Sequence, residues 1–241
     1  MKLYDRWFSA RLGCEVGVAR WGHYGRPVLV FPTAGGDAEE IERAGLVSAV
    51  WPLIEAGRIK LFSCDSVAGA AILRQVGGPR DRAATLNAFH DFVRQELVPA
   101  IRTDCRDPGI GIVSAGASIG AFNAVAVLCR YPDVFIRAIG MSGTYDIAPL
   151  VGDDAGMDLY FSTPLYFLPG LGGEQLEALR RRSVLLASGQ GRWEQVEQSW
   201  RLAGVLGSKG IPNRVDAWGG EWDHDWPTWR QMLPLYLAGL G

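Results

Sequence analysis

The sequence predicts one α/β domain over residues 1–241, built on a mostly parallel sheet with helices on both faces. Three observations carry this. Short β-type runs alternate with helical runs along nearly the whole chain. Several of the β-type runs, such as Val28-Leu29-Val30-Phe31, are continuously apolar, as strands covered on both faces must be. No Pro/Gly/Ser-rich linker or internal repeat divides the chain, and 48% hydrophobic against 21% charged residues is ample for a single core.

Strands are predicted at 15–19, 28–31, 59–63, 110–113, 136–141, 184–187 and 214–218, and helices at 81–101, 119–130, 194–206 and 226–240. In the first helix Leu86, Phe89, Val93 and Leu97 recur at helical spacing and form one apolar stripe. The least regular stretch, 145–173, carries Pro149, Pro164, Pro169 and several aromatics between two strong strand signals. An insertion of that length is expected to be functional, here a partial cap over a site at the strand ends.

Composition excludes several classes. The 24 basic and 26 acidic residues give a net charge of −2 with no long basic run, so no nucleic-acid partner is expected. No stretch is apolar for about 18 residues, which argues against a membrane span. The first residues carry charges where the apolar core of a secretory signal would lie, so a cytoplasmic location is expected. Cys14, Cys64, Cys105 and Cys129 are scattered, with no C-x-x-C and no His pair at ligand spacing. Neither a metal nor a disulfide framework is signalled, and no cofactor motif is present.

The segment Ile110-Gly111-Ile112-Val113-Ser114-Ala115-Gly116-Ala117-Ser118-Ile119-Gly120 reads as strand, Gly-x-Ser-x-Gly, then helix. A chain reversing so sharply leaves no room for side chains two residues before and two after the serine, where Gly116 and Gly120 stand. Ser118 then sits at a helix N-terminus, which favours developing negative charge. A serine nucleophile needs a base. His90 falls on the edge of an apolar helical stripe and His23 in a turn before an early strand. His224 follows the last strand signal, where its imidazole can hang over the elbow.

The acid that orients the imidazole is expected in the loop after 184–187, which makes Glu194 the first candidate and Glu197 the second. Asp223 and Asp225 adjoin His224, but sequence neighbours in an extended loop point apart. For the oxyanion, the backbone N–H of Ile119 is one donor. Ala34, with Gly35 as the alternative, supplies the other from the Gly-rich turn after 28–31.

The sequence resembles the bacterial esterase-D-like branch of the α/β-hydrolase superfamily over most of its length. The resemblance lies in VLVFPTAGG (28–36), LFSCDSV (61–67), GASIGAFN (116–123), YPDVFIRAIGMSGTYDI (131–147), YFSTPLYFLPGL (160–171), KGIP (209–212) and WGGEWDHDWPTW (218–229). It implies an α/β-hydrolase fold and a cofactor-free serine hydrolase of small-molecule esters, with Ser118 as nucleophile and His224 as base. Many members of that branch carry an Asp in a slightly shorter acid loop, where Arg192 or Trp193 falls here. The same residues would serve a thioesterase or an acyltransferase, and a non-catalytic binding protein on this scaffold is a further alternative. Aromatics gather in the segments carrying the acid and base, so Trp193 and Trp222, with Gly35, are candidate substrate contacts. A small, uncharged acyl group or an aryl ester is the expected substrate.

Overall fold

The computed structural model describes residues 1–239. Eight strands form one sheet: β1 (Lys2–Ser9), β2 (Cys14–Trp21), β3 (Arg26–Phe31), β4 (Ile59–Cys64), β5 (Ile112–Ala117), β6 (Phe135–Met141), β7 (Ser183–Ser188) and β8 (Asn213–Ala217). Their spatial order is β1-β2-β4-β3-β5-β6-β7-β8. β2 runs antiparallel to both of its neighbours, and from β4 to β8 every pairing is parallel. The C-terminal ends of β3, β5, β7 and β8 therefore share one edge of the sheet, the edge at which ligands of such sheets bind.

Side chains from alternate strand positions feed two cores. One face packs Leu29, Phe31, Ala138 and Leu186 under helices that include Pro79–Phe92, Ile119–Arg130 and Val196–Ser208. The other packs Val28, Val30, Ala115 and Ile139 under helices Leu46–Glu55 and Trp226–Ala238. The expected end of the last helix, Leu240, lies outside the described residues.

Three departures from the expected elements have physical causes. β1 escapes a reading by apolar runs because Lys2, Asp5 and Arg6 break it, which suits an edge strand paired on one side only. β5 continues through Ser114-Ala115-Gly116-Ala117, whose small residues imitate a turn although all six positions of the strand are buried. The long helix is interrupted by a π-turn at Val93–Leu97, just before Pro99. Proline has no N–H for the helical ladder and crowds the preceding turn, and the wider turn accommodates it. Helices Leu46–Glu55 and Val67–Leu73 were not among the expected elements.

The 145–173 insertion forms short helices: Ala148–Val151, Gly156–Ser162 and Pro164–Phe167. The first lies beside helix Val67–Leu73 at the strand-end edge, and the second packs along Pro79–Phe92. Its start is pinned to helix Val196–Ser208, because Gln198 accepts from the Tyr145 and Asp146 amides, and Asp146 pairs with Arg201 at 2.6 Å.

Candidate active site

Ser118 joins the end of β5 to helix Ile119–Arg130 with φ 57° and ψ −124°, a region that side chains rarely occupy. Such a conformation costs on the order of 1–3 kcal/mol and persists only when its surroundings enforce it. Here the Ser118 amide donates to the Met141 carbonyl at 3.0 Å, and the Ser118 carbonyl accepts from Ala121 and from Thr144. The flanking glycines are required by space. A Cβ on Gly116 would lie 2.3 Å from the Gly120 carbonyl, and one on Gly120 would lie 2.4 Å from the Phe31 oxygen.

The turn after β3 is held from beneath by a carboxylate. Glu40 accepts from the Thr33 amide at 2.8 Å and the Thr33 hydroxyl at 2.7 Å, in space that a side chain on Gly36 would fill. A second carboxylate, Asp65, accepts from the Ala38 and Gly17 amides and so ties the loop to β2. Ala34 and Gly35 stand at the tip of this turn. Ile119, as the first helical residue, has an N–H outside the helical ladder.

Glu194 and His224 are brought together from the loops after β7 and β8. Glu194 Oε2 lies 3.7 Å from His224 Nδ1, and the Glu194 side chain is 1% exposed. The carboxylate also accepts from Ser142 Oγ at 2.5 Å, Ser188 Oγ at 3.0 Å and the Gly189 amide at 3.2 Å. Burial pushes its pKa upward, but the His224 and Ser142 interactions outweigh that and hold it below the ordinary glutamate value. Ser142 is readable from the sequence, with Ser114 and Ser188, only as another serine near a strand end, and its place beside the acid is new. It sits at the end of β6 with φ 50°, and its hydroxyl accepts from the Trp229 indole at 2.9 Å.

The two loops are stitched to each other. The His224 amide donates to the Arg192 carbonyl at 3.0 Å, and the Arg192 side chain and amide both bind Asp223. Asp223 is thereby committed to Arg192, and Asp225 caps the last helix by accepting from the Thr228 amide. Glu197 is exposed on its helix. The His224 ring meets the Trp229 ring edge to face, with centroids 5.2 Å apart. Trp222 packs against Trp218 at 4.7 Å, whereas Trp193 is 83% exposed with φ 67°. His90 is fully buried between two helices, and His23 lines a cleft with Tyr24 and Arg26. Among the described residues no group of three metal-ligating side chains converges, and no helix is long and apolar enough to cross a membrane.

The family model described as "Putative esterase" matches residues 79–240. The chain belongs to that family. Its fold is that of the α/β-hydrolases, and ester hydrolysis at a nucleophile elbow is the chemistry of such a site. No curated protein matches the chain in sequence. Among solved structures, a ferulic acid esterase superposes with a TM-score of 0.78 at 17% identity, covering 98% of this chain and 96% of that one. An S-formylglutathione hydrolase from Agrobacterium tumefaciens gives 0.68 at 14% identity, covering 100% and 96%. The fluorophosphonate-binding serine hydrolase F of Staphylococcus aureus gives 0.71 at 13%, covering 99% and 97%. At these identities the likeness is one of fold.

Proposed function

We propose that the protein hydrolyses uncharged carboxylic esters through an acyl-enzyme on Ser118. The observation that carries this reading is the Glu194–His224 pair, presented at the same sheet edge as a strained serine on a Gly-x-Ser-x-Gly turn. Glu194 faces Nδ1 of His224, which leaves Nε2 for the serine. Ser118 Oγ attacks the acyl carbon as His224 takes its proton. The carbonyl oxygen becomes an oxyanion held by the Ala34 and Ile119 amides. The C–O bond then breaks, and His224 returns the proton to the departing alkoxide. Water, deprotonated by the same imidazole, releases the acid and regenerates Ser118. Trp193, adjoining the residue whose carbonyl holds the His224 amide, is the exposed surface on the leaving-group side.

The test is labelling with a fluorophosphonate probe together with turnover of p-nitrophenyl acetate. The native chain is expected to label and turn over, and Ser118→Ala to do neither. Labelling that persists in Ser118→Ala would overturn the assignment.

A further inference from the structure

An apolar strip leads away from the oxyanion turn. Helix Val67–Leu73 is pressed against that turn, for a Cβ on Gly69 would lie 2.8 Å from the Ala34 carbonyl oxygen. At the other end of this helix Leu73 Cδ2 crowds Gly35, where an added Cβ would come within 3.2 Å. Gln75, at φ 52°, then donates from Nε2 to the Ile72 carbonyl at 2.8 Å and the Leu150 carbonyl at 3.1 Å. Those bonds join the helix to Ala148–Val151. That second helix follows Thr144, whose amide donates to the Ser118 carbonyl. Both walls are thus anchored to the elbow, one through the oxyanion turn and one through Thr144.

The strip exposes large apolar side chains: Leu73 is 62% exposed, Val76 57% and Leu150 42%. Of the neighbouring charges, Arg74 is exposed at the end of helix Val67–Leu73 and Asp153 is exposed beside Asp154, while the others are occupied. Arg80 pairs with Asp154 at 2.8 Å, and the Arg82 guanidinium is bound to the Gly77 and Val151 carbonyls. Single exposed apolar residues are ordinary, whereas several on two segments that Gln75 ties together, beginning where Leu73 meets Gly35, offer a ligand surface beside the oxyanion turn.

We propose that this strip binds the apolar acyl chain of the ester. The inference rests on the ester-hydrolase reading above. Sheet order decides which half of the substrate lies there. β3 and β8 stand on opposite sides of β5, so the oxyanion turn and His224 flank Ser118 from opposite sides. His224 protonates the leaving alcohol, which departs toward its own side; with the carbonyl oxygen held in the oxyanion turn, the acyl substituent takes the remaining direction away from His224, past that turn toward Leu73, Val76 and Leu150. The chain length served is therefore longer than acetate.

The experiment measures kcat/KM for p-nitrophenyl acetate, butyrate and octanoate and for the p-nitrophenyl monoester of succinate. A half-buried methylene is worth roughly a twofold gain, so the six additional methylenes of octanoate are expected to raise kcat/KM over that of acetate by about 60-fold. The double variant Leu73→Gln/Leu150→Gln should lower the octanoate-to-acetate ratio by about tenfold. Leu235→Gln, an equally exposed leucine on the last helix, should leave that ratio unchanged. An acetate optimum, an unchanged ratio in the double variant, or a preference for the anionic succinyl ester through Arg74 would each overturn the strip, provided Ser118 still labels with fluorophosphonate. Loss of labelling in the native chain would overturn the hydrolase reading itself.

Discussion

Ser142 donates its hydroxyl proton to Glu194 at 2.5 Å while accepting from the Trp229 indole at 2.9 Å. One hydroxyl thus links the last helix to the acid beside His224. Its neighbour Met141 accepts the Ser118 amide, so the end of β6 braces both the serine and the carboxylate.

Removing this brace should slow the reaction without unfolding the chain. A hydrogen bond to a charged group is worth about 1.5–3 kcal/mol, so Ser142→Ala is expected to lose roughly 10–100-fold in kcat. Ser142 also helps to hold the Glu194 pKa down, so in the variant the activity lost on protonating Glu194 should be lost at a higher pH, moving the low-pH end of the rate profile upward. A purely structural role would lower thermal stability and leave that limb in place.

Glu194→Gln should cost about 10²–10⁴ in kcat, because the imidazole loses its orienting charge. Exposed Glu197 serves as the comparison, and Glu197→Gln should stay within about twofold of the native rate. The sign of the stability effect follows from the lowered pKa of Glu194. Its contribution is present above the unfolded glutamate value, about 4.3, and is lost as pH falls through the lower folded value. Steady-state kinetics at neutral pH therefore compare these variants while Glu194 is ionised.

Gly120→Ala should be among the most damaging single-methyl additions. The new Cβ would meet the Phe31 and Pro32 oxygens at 2.4 and 2.6 Å, both backbone atoms with no rotamer to yield. A loss of at least about 3 kcal/mol is expected. By contrast a Cβ on Gly204, in helix Val196–Ser208, meets nothing within 4 Å. Gly204→Ala should gain about 0.5–1 kcal/mol from helix propensity, read as a Tm rise of about 1–4 °C.

The elbow was legible because its chemistry is local: two glycines, small neighbours and a helix whose bounds, Ile119–Arg130, coincide with the apolar pattern. The loops carrying Glu194 and His224 were legible from the order of serine, acid and histidine along the chain and from their places after strand signals, since parallel strands deliver their following loops to one edge. Ser142 showed only as one more serine at a strand end, with no trace of its role. A lone serine after a strand looks like any turn residue, and its value depends on Trp229 and Glu194, 87 and 52 positions away. The apolar strip was equally hidden, because helices Val67–Leu73 and Ala148–Val151 come together only in the fold, where Gln75 bonds to the Ile72 and Leu150 carbonyls. The charged β1 shows the same limit for the fold, as an edge strand needs no apolar run.

Acid stability should depend on His90, buried between the long helix and the elbow helix. Arg130 can only donate, so His90 Nδ1 accepts from it at 3.2 Å, and Nε2 carries the proton given to Asn123 Oδ1 at 3.1 Å. Burial first, and then the Arg130 charge, push the His90 pKa down to about 3, against the smaller opposing effect of Asn123. Unfolded histidine protonates near 6.5, so between about 6.5 and 3 the unfolded chain binds the extra proton and stability falls as pH falls. This single group should cost about 1.4 kcal/mol per pH unit through that window and nothing above it. His90→Gln should lose some stability at pH 7.5 with its hydrogen bonds. It should also show a shallower decline than the native chain between pH 6.5 and 5, by about 2 kcal/mol in urea unfolding. Equal slopes in the two proteins would mean that His90 takes up its proton in the folded state without penalty, and that the elbow helix tolerates a charge at its buried face.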